Sequence, residues 1–90
     1  METERYYVTI KRGSKHGFLL GPYETHDEAI RDVNIGRAAA SSIDPFACFD
    51  AFGTAKVTAE SHKPGRLEDM EFVEIARESG DYYERNNAGS

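Results

Sequence analysis

Near the start of the chain Tyr6, Val8 and Ile10 alternate with Tyr7, Thr9 and Lys11, in a run rich in aromatic and β-branched residues. A period of two predicts a strand over Arg5 to Ile10, with Tyr6, Val8 and Ile10 turned to a core. From Lys11 to Gly17 there is no apolar side chain to bury, and Gly13 and Gly17 can take positive φ, so this stretch predicts a hairpin loop. Phe18 to Leu20 then returns as a second strand. Gly21 and Pro22 are expected to end it, because proline has no N–H to give a ladder.

The pattern next changes to a helical period. Thr25 as N-cap and Glu28 three residues later make a capping box, with Asp27 adding negative charge at the positive helix end. Ala29, Ile30, Val33 and Ala40 then share one face, and Gly36 is expected to end the helix or bend it. Asp44 and Pro45 predict a second N-cap and a short helical turn through Ala51, with Phe46, Phe49 and Phe52 feeding the core at a spacing of three. After Gly53, Ala55, Val57 and Ala59 alternate with Thr54, Lys56 and Thr58, a third strand. The His62 to Gly65 stretch predicts a turn. Arg66 to Ser79 fits a helix stopped by Gly80, with Phe72, Val73 and Ala76 on one side. A short strand over Glu71 to Ile75 is the competing assignment.

The elements sum to an α+β fold: a small antiparallel sheet of an N-terminal hairpin and a third strand, packed with one capped helix, a short helical turn and a C-terminal acidic helix. Residues 1–80 form a single domain, and 81–90 a polar, frayed tail. The expected core comprises Tyr6, Val8, Ile10, Leu20, Ile30, Val33, Phe46, Phe49, Phe52, Val57 and Phe72. A three-stranded sheet under one helix leaves an apolar face that a homodimer would cover.

Composition narrows the function classes. Ninety residues with 39% hydrophobic content and ten aromatics support one small core. Apolar runs fall far short of the ~20 residues of a membrane helix, and Met1 leads into Glu2, Thr3, Glu4 and Arg5 instead of a basic and then apolar leader. The expectation is a cytoplasmic protein with no membrane contact. Cys48, the single cysteine, lies between Ala47 and Phe49 and reads as a buried small hydrophobe. His16, His26 and His62 fall in separate loops, with no spacing that gathers metal ligands, and no nucleophile motif or phosphate-binding glycine loop precedes a helix. The chain is therefore expected to be no enzyme and to use no cofactor.

Charge supplies two candidate surfaces. The net charge is −5, yet residues 1–23 carry +2 with histidines neutral, against −3 for 24–59 and −4 for 60–90. On a helix, Glu68, Glu71, Glu74 and Glu78 would form a row with neighbours roughly 5–6 Å apart, near the phosphate interval of a nucleic acid. Asp81 and Glu84 could extend it. Such a row could occupy the basic groove of a host DNA-binding protein as a DNA mimic. The alternative is weak, salt-sensitive nucleic-acid binding by the hairpin tip, with Lys11, Arg12 and Lys15 on phosphates and Tyr7 stacking a base. A third possibility is a protein-interaction role unrelated to DNA.

The stretch Leu19 to Ala29 resembles a strand-to-helix junction of small α/β modules, including peptidoglycan-binding SPOR repeats. The resemblance spans eleven residues and carries over no ligand residue, because the remaining elements do not follow the SPOR order. Taken with Asp44 to Thr54, the chain is similar to small uncharacterised proteins carried by tailed phages. That resemblance implies a phage setting and action by binding, inhibiting or modulating a host factor, such as a topoisomerase, nuclease, polymerase or CRISPR effector.

Overall fold

A computed structural model describes residues 1–80. The chain runs β1 (Thr3–Arg12), β2 (Lys15–Tyr23), α1 (His26–Arg31), α2 (Val33–Ile43), a 3-10 turn (Pro45–Phe49), β3 (Ala51–Ala59) and α3 (Glu71–Ser79). The three strands form an antiparallel sheet in the order β2-β1-β3, and the fold is α+β. No helix among the described residues is long and apolar enough to cross a membrane.

The hairpin is tighter than its polar stretch suggests. Arg12 pairs with Lys15, Lys11 with His16 and Ile10 with Gly17, leaving Gly13 and Ser14 as the turn. Gly13 takes φ +62°, the positive value expected of glycine at the first position of a two-residue hairpin. Polar side chains at 11–16 are no obstacle to pairing, since the ladder uses only backbone groups.

Strict alternation fails in the middle of the hairpin. Thr9 faces Phe18 but Val8 faces Leu20, so β2 carries an extra residue and both Leu19 and Leu20 enter the core. Tyr7 is also buried, on the opposite face of the sheet from Val8. Directly paired residues share a face, so Tyr7 with Ala55 and Arg5 with Val57 lie away from the helices, while Val8 with Thr54 and Ile10 with Phe52 lie towards them. Val57 is therefore not in the core against the helices.

Thr25 caps the helix as the spacing predicts, accepting the Glu28 N–H at Oγ1 at 3.3 Å. The Glu28 carboxylate pairs with the Thr25 hydroxyl, which donates to Oε1 at 2.9 Å, in place of the Thr25 backbone N–H of a full capping box. The helical stretch breaks at Asp32, with φ −94° and ψ 4°, and not at Gly36. Gly36 lies inside α2, where a Cβ would stand 2.8 Å from Val8 Cγ1, so its lack of a side chain sets how closely α2 approaches the sheet. The break gives α1 and α2 separate faces. Ile30, expected in the core, is 49% exposed, and Ile35, Ala39 and Ala40 pack against Val8, Leu20, Val73 and Ala76 instead.

Asp44 caps the 3-10 turn by accepting the Phe46 N–H at 3.0 Å. Side chains three apart eclipse in such a turn, so Phe46 and Phe49 share an edge. That edge faces solvent, because Ala47 makes the inward contact: Phe46 is 71% and Phe49 84% exposed. Both leave the expected core. Phe52 alone of the three phenylalanines packs against it. Cys48, expected to be buried, is exposed.

Beyond β3 the chain does not turn at Pro64 and Gly65. It runs on as a strap along β2, whose edge accepts hydrogen bonds from Gly65 (to Gly21 O, 3.0 Å), Arg66 (to Phe18 O, 2.9 Å) and Leu67 (to Leu19 O, 2.9 Å). The turn falls at 66–69, and the C-terminal segment is a helix starting only at Glu71, with Gly80 at φ +73° as its stop.

Candidate functional site

The acidic row is shorter than its spacing predicts. Glu71, Glu74 and Glu78 project from α3, all exposed, with no ion pair among the described residues. Offsets of three and four place them on one side of the helix, over roughly 10 Å of its length. Glu68 is not among them. It precedes α3 and turns inward, where Oε2 accepts the Gly21 N–H at 2.6 Å. Asp81 and Glu84 lie outside the described residues.

Glu68 belongs to a partly buried network that the sequence reading missed. Arg77 reaches it with two nitrogens, Nη1 to Oε1 at 2.8 Å and Nη2 to Oε2 at 2.7 Å. Arg77 Nε also donates to Asp32 Oδ2 at 3.1 Å, and Nη2 donates to the Tyr23 hydroxyl at 2.6 Å. Tyr23 in turn donates to Asp32 Oδ2 at 2.6 Å. Asp32 is 1% exposed, the only charged residue in the core among those described. One arginine thus ties α3 to the α1–α2 break, to β2 and to the segment before α3.

The electrostatics follow from these contacts. Burial pushes the Glu68 carboxyl up, but its bonds from Arg77 and the Gly21 amide outweigh that and hold it below its usual value. Burial, reinforced by Asp32, pushes the Tyr23 phenol up. Glu68 first, and then Tyr23, raise the Arg77 guanidinium against its own burial. The bonding capacity of the cluster is largely spent internally, which suits a clasp better than proton transfer. Its traces in the sequence were an aspartate, Asp32, within the helical stretch and an arginine at the position next to Ala76 on the Val73 side of α3.

The basic hairpin is also altered. Arg12 is drawn to the two ends of the 3-10 turn, its cap Asp44 and Asp50 just before β3, with Nη2 at 2.8 Å from Asp50 Oδ2 and 2.9 Å from Asp44 Oδ2. Those bonds raise the guanidinium and lower the Asp44 carboxyl. Tyr7 is 4% exposed and donates its hydroxyl to Lys63 O at 2.6 Å, so it offers no face for stacking a base. Lys11 and Lys15 remain exposed. No group of three or more metal-binding side chains occurs among the described residues.

Comparison with models of protein families, with curated proteins and with solved structures gave no match.

Proposed function

We propose that this chain is a small non-enzymatic binding protein that engages a basic, nucleic-acid-handling partner through the outward side of α3. The observation that carries the reading is the set Glu71, Glu74 and Glu78, exposed, unpaired among the described residues and side by side on a helix. The Arg77 clasp ties the helix to Glu68, Tyr23 and Asp32, and the helical repeat sets the spacing of the carboxylates. Negative charge at such intervals competes with phosphates for a cationic groove. The overall charge of −5 favours encounter with a basic surface and disfavours encounter with nucleic acid. A phage-borne inhibitor working in the host cytoplasm is the setting this reading suits. The basic-hairpin alternative has lost Tyr7 to burial and Arg12 to two carboxylates.

The test is affinity capture from host lysate with the wild-type chain and with an E71Q/E74Q/E78Q variant, each eluted by salt and by duplex DNA. Capture of a DNA-binding protein, released by duplex and lost with the variant, is the expected result. A protein captured equally by both and indifferent to DNA would remove α3 from the contact.

A further inference from the structure

We propose that the edge built from the hairpin end of β2 and the strap is a docking groove for an acidic peptide segment with apolar side chains on both sides of its carboxylates. This groove lies apart from the outward carboxylates of α3 and does not rest on their role.

Two hollows meet there. One, of about 340 Å³, has an apolar floor of Ile10, Leu19, Ala40, Ala47 and Leu67. The other, of about 400 Å³, lies on the opposite face of the sheet and is walled by Tyr7, Phe18, Val57 and Pro64. Each falls at the lower end of the roughly 300–1,000 Å³ usual for ligand-binding clefts. His16, Gly17 and Arg66 border both, so they form the saddle between the lobes. Gly17 keeps the saddle low: a Cβ there would already stand 3.3 Å from Ile10 Cγ2.

The charge of the saddle selects the occupant. Lys15 borders the first lobe, Lys63 the second and Arg66 both, and none of the three has an ion pair among the described residues. The carboxylates at the groove, Asp44 and Asp50, are both bound by Arg12, and the second lobe has none. A positive saddle on a chain of net charge −5 is a local inversion that draws carboxylates to that place. Apolar floors on both sides then ask for an apolar anchor before and after the acidic residues. The strap already occupies the β2 edge with three backbone hydrogen bonds, so the peptide is held by its side chains and not as an added strand. Nucleic acid fits less well, because the floor of the first lobe is aliphatic and Tyr7 is buried, leaving Phe18, at 43% exposure, and the His16 ring as the exposed aromatic surfaces of the groove.

The probe is a capped hexapeptide with phenylalanine at each end and two adjacent glutamates between, titrated into the full chain by calorimetry and by amide chemical shifts. Expected are salt-sensitive binding, shifts centred on His16, Gly17, Phe18 and Leu67, and markedly weaker binding of the same peptide with glutamines. The folded K15Q/R66Q variant should bind roughly three- to tenfold more weakly, as befits two solvent-facing charge contacts. The E71Q/E74Q/E78Q variant should bind as wild type, which separates this groove from the α3 surface. No binding at millimolar peptide, equal affinity for the glutamine peptide, shifts elsewhere, or tighter binding of oligothymidine at the same amides would each overturn the proposal.

Discussion

Arg77 grips Glu68 end-on, nitrogen to oxygen at 2.8 and 2.7 Å, while its third nitrogen reaches Asp32 at 3.1 Å. Removing the guanidinium takes from the buried Asp32 carboxylate its nearer cation, leaving Arg31 at 4.0 Å and the Tyr23 hydroxyl, and leaves Glu68 half-buried without its fork. Breaking one side of a buried pair costs about 3–5 kcal/mol, mostly from the stranded charge. Arg77→Met should therefore lower the urea midpoint steeply. Arg77→Lys should recover only part, because a single ammonium cannot bridge Glu68, Tyr23 and Asp32 together.

The same network sets a pH dependence. The Glu68 carboxyl is held below its usual 4.5, so its contribution is present above that value and is lost as pH falls through the lower folded value. The Tyr23 phenol is raised above 10, so its contribution is full below pH 10 and is lost as pH climbs towards its folded value. Stability measured by urea titration should decline below about pH 4.5 and again above about pH 10. Glu68→Gln should make the acid limb shallower, leaving the part due to Asp44, and Tyr23→Phe the alkaline limb, leaving the part due to Tyr7.

The local signals that proved legible are those that act within a few residues. Thr25 with Glu28, Asp44 before Pro45, and Gly80 as a stop all form as their spacing predicts. What the sequence hid depends on contacts between distant segments. Glu68 has the spacing of a helical row, but its partners are Gly21 and Arg77, and no period of three or four can register them. Phe46 and Phe49 recur as a core stripe would, yet which edge of the 3-10 turn faces inward was settled by Ala47 packing into the core. The extra residue at Leu19 defeats alternation because a bulge is decided by the partner strand.

Gly65 is required by a close approach. A Cβ on it would fall 2.4 Å from the carbonyl carbon and oxygen of Leu19 and 2.5 Å from the Leu20 nitrogen, all backbone atoms of β2. Gly65→Ala must push the strap off the edge it covers, at a cost of about 2 kcal/mol or more. Gly53 is the control, since nothing lies within 4 Å of its Cβ position and its φ is not positive. Gly53→Ala should be neutral or stabilising by about 0.5 kcal/mol. Thermal unfolding of the two variants side by side checks the contrast.

Glu71, Glu74 and Glu78 share a helix with Arg77 but not its network, so stability should separate them from Glu68. The E71Q/E74Q/E78Q variant should unfold within about 0.5 kcal/mol of wild type, as exposed substitutions do. Glu68→Gln should cost more, because it weakens both the Arg77 fork and the bond from the Gly21 amide. Equal losses in urea titrations would place all four glutamates in one structural role.

Phe46, Cys48 and Phe49 project from the same 3-10 turn, and their exposure makes a sharp prediction against the core role their spacing suggests. Truncating a buried phenylalanine costs about 3–5 kcal/mol, whereas surface changes stay within about 0.5 kcal/mol. Phe46→Ser and Phe49→Ser should therefore leave the urea midpoint nearly unchanged, while Phe52→Ala, whose ring packs on the core beneath Arg37, should lower it. The Cys48 thiol should react fully with a thiol-specific chromogenic disulfide in the native protein, at a rate that denaturant does not greatly increase. A thiol released only by unfolding would mean that the turn packs with Cys48 inward. The phenylalanines would then have to be reassigned with it, since a five-residue 3-10 turn cannot rotate one side chain inward without rotating its neighbours.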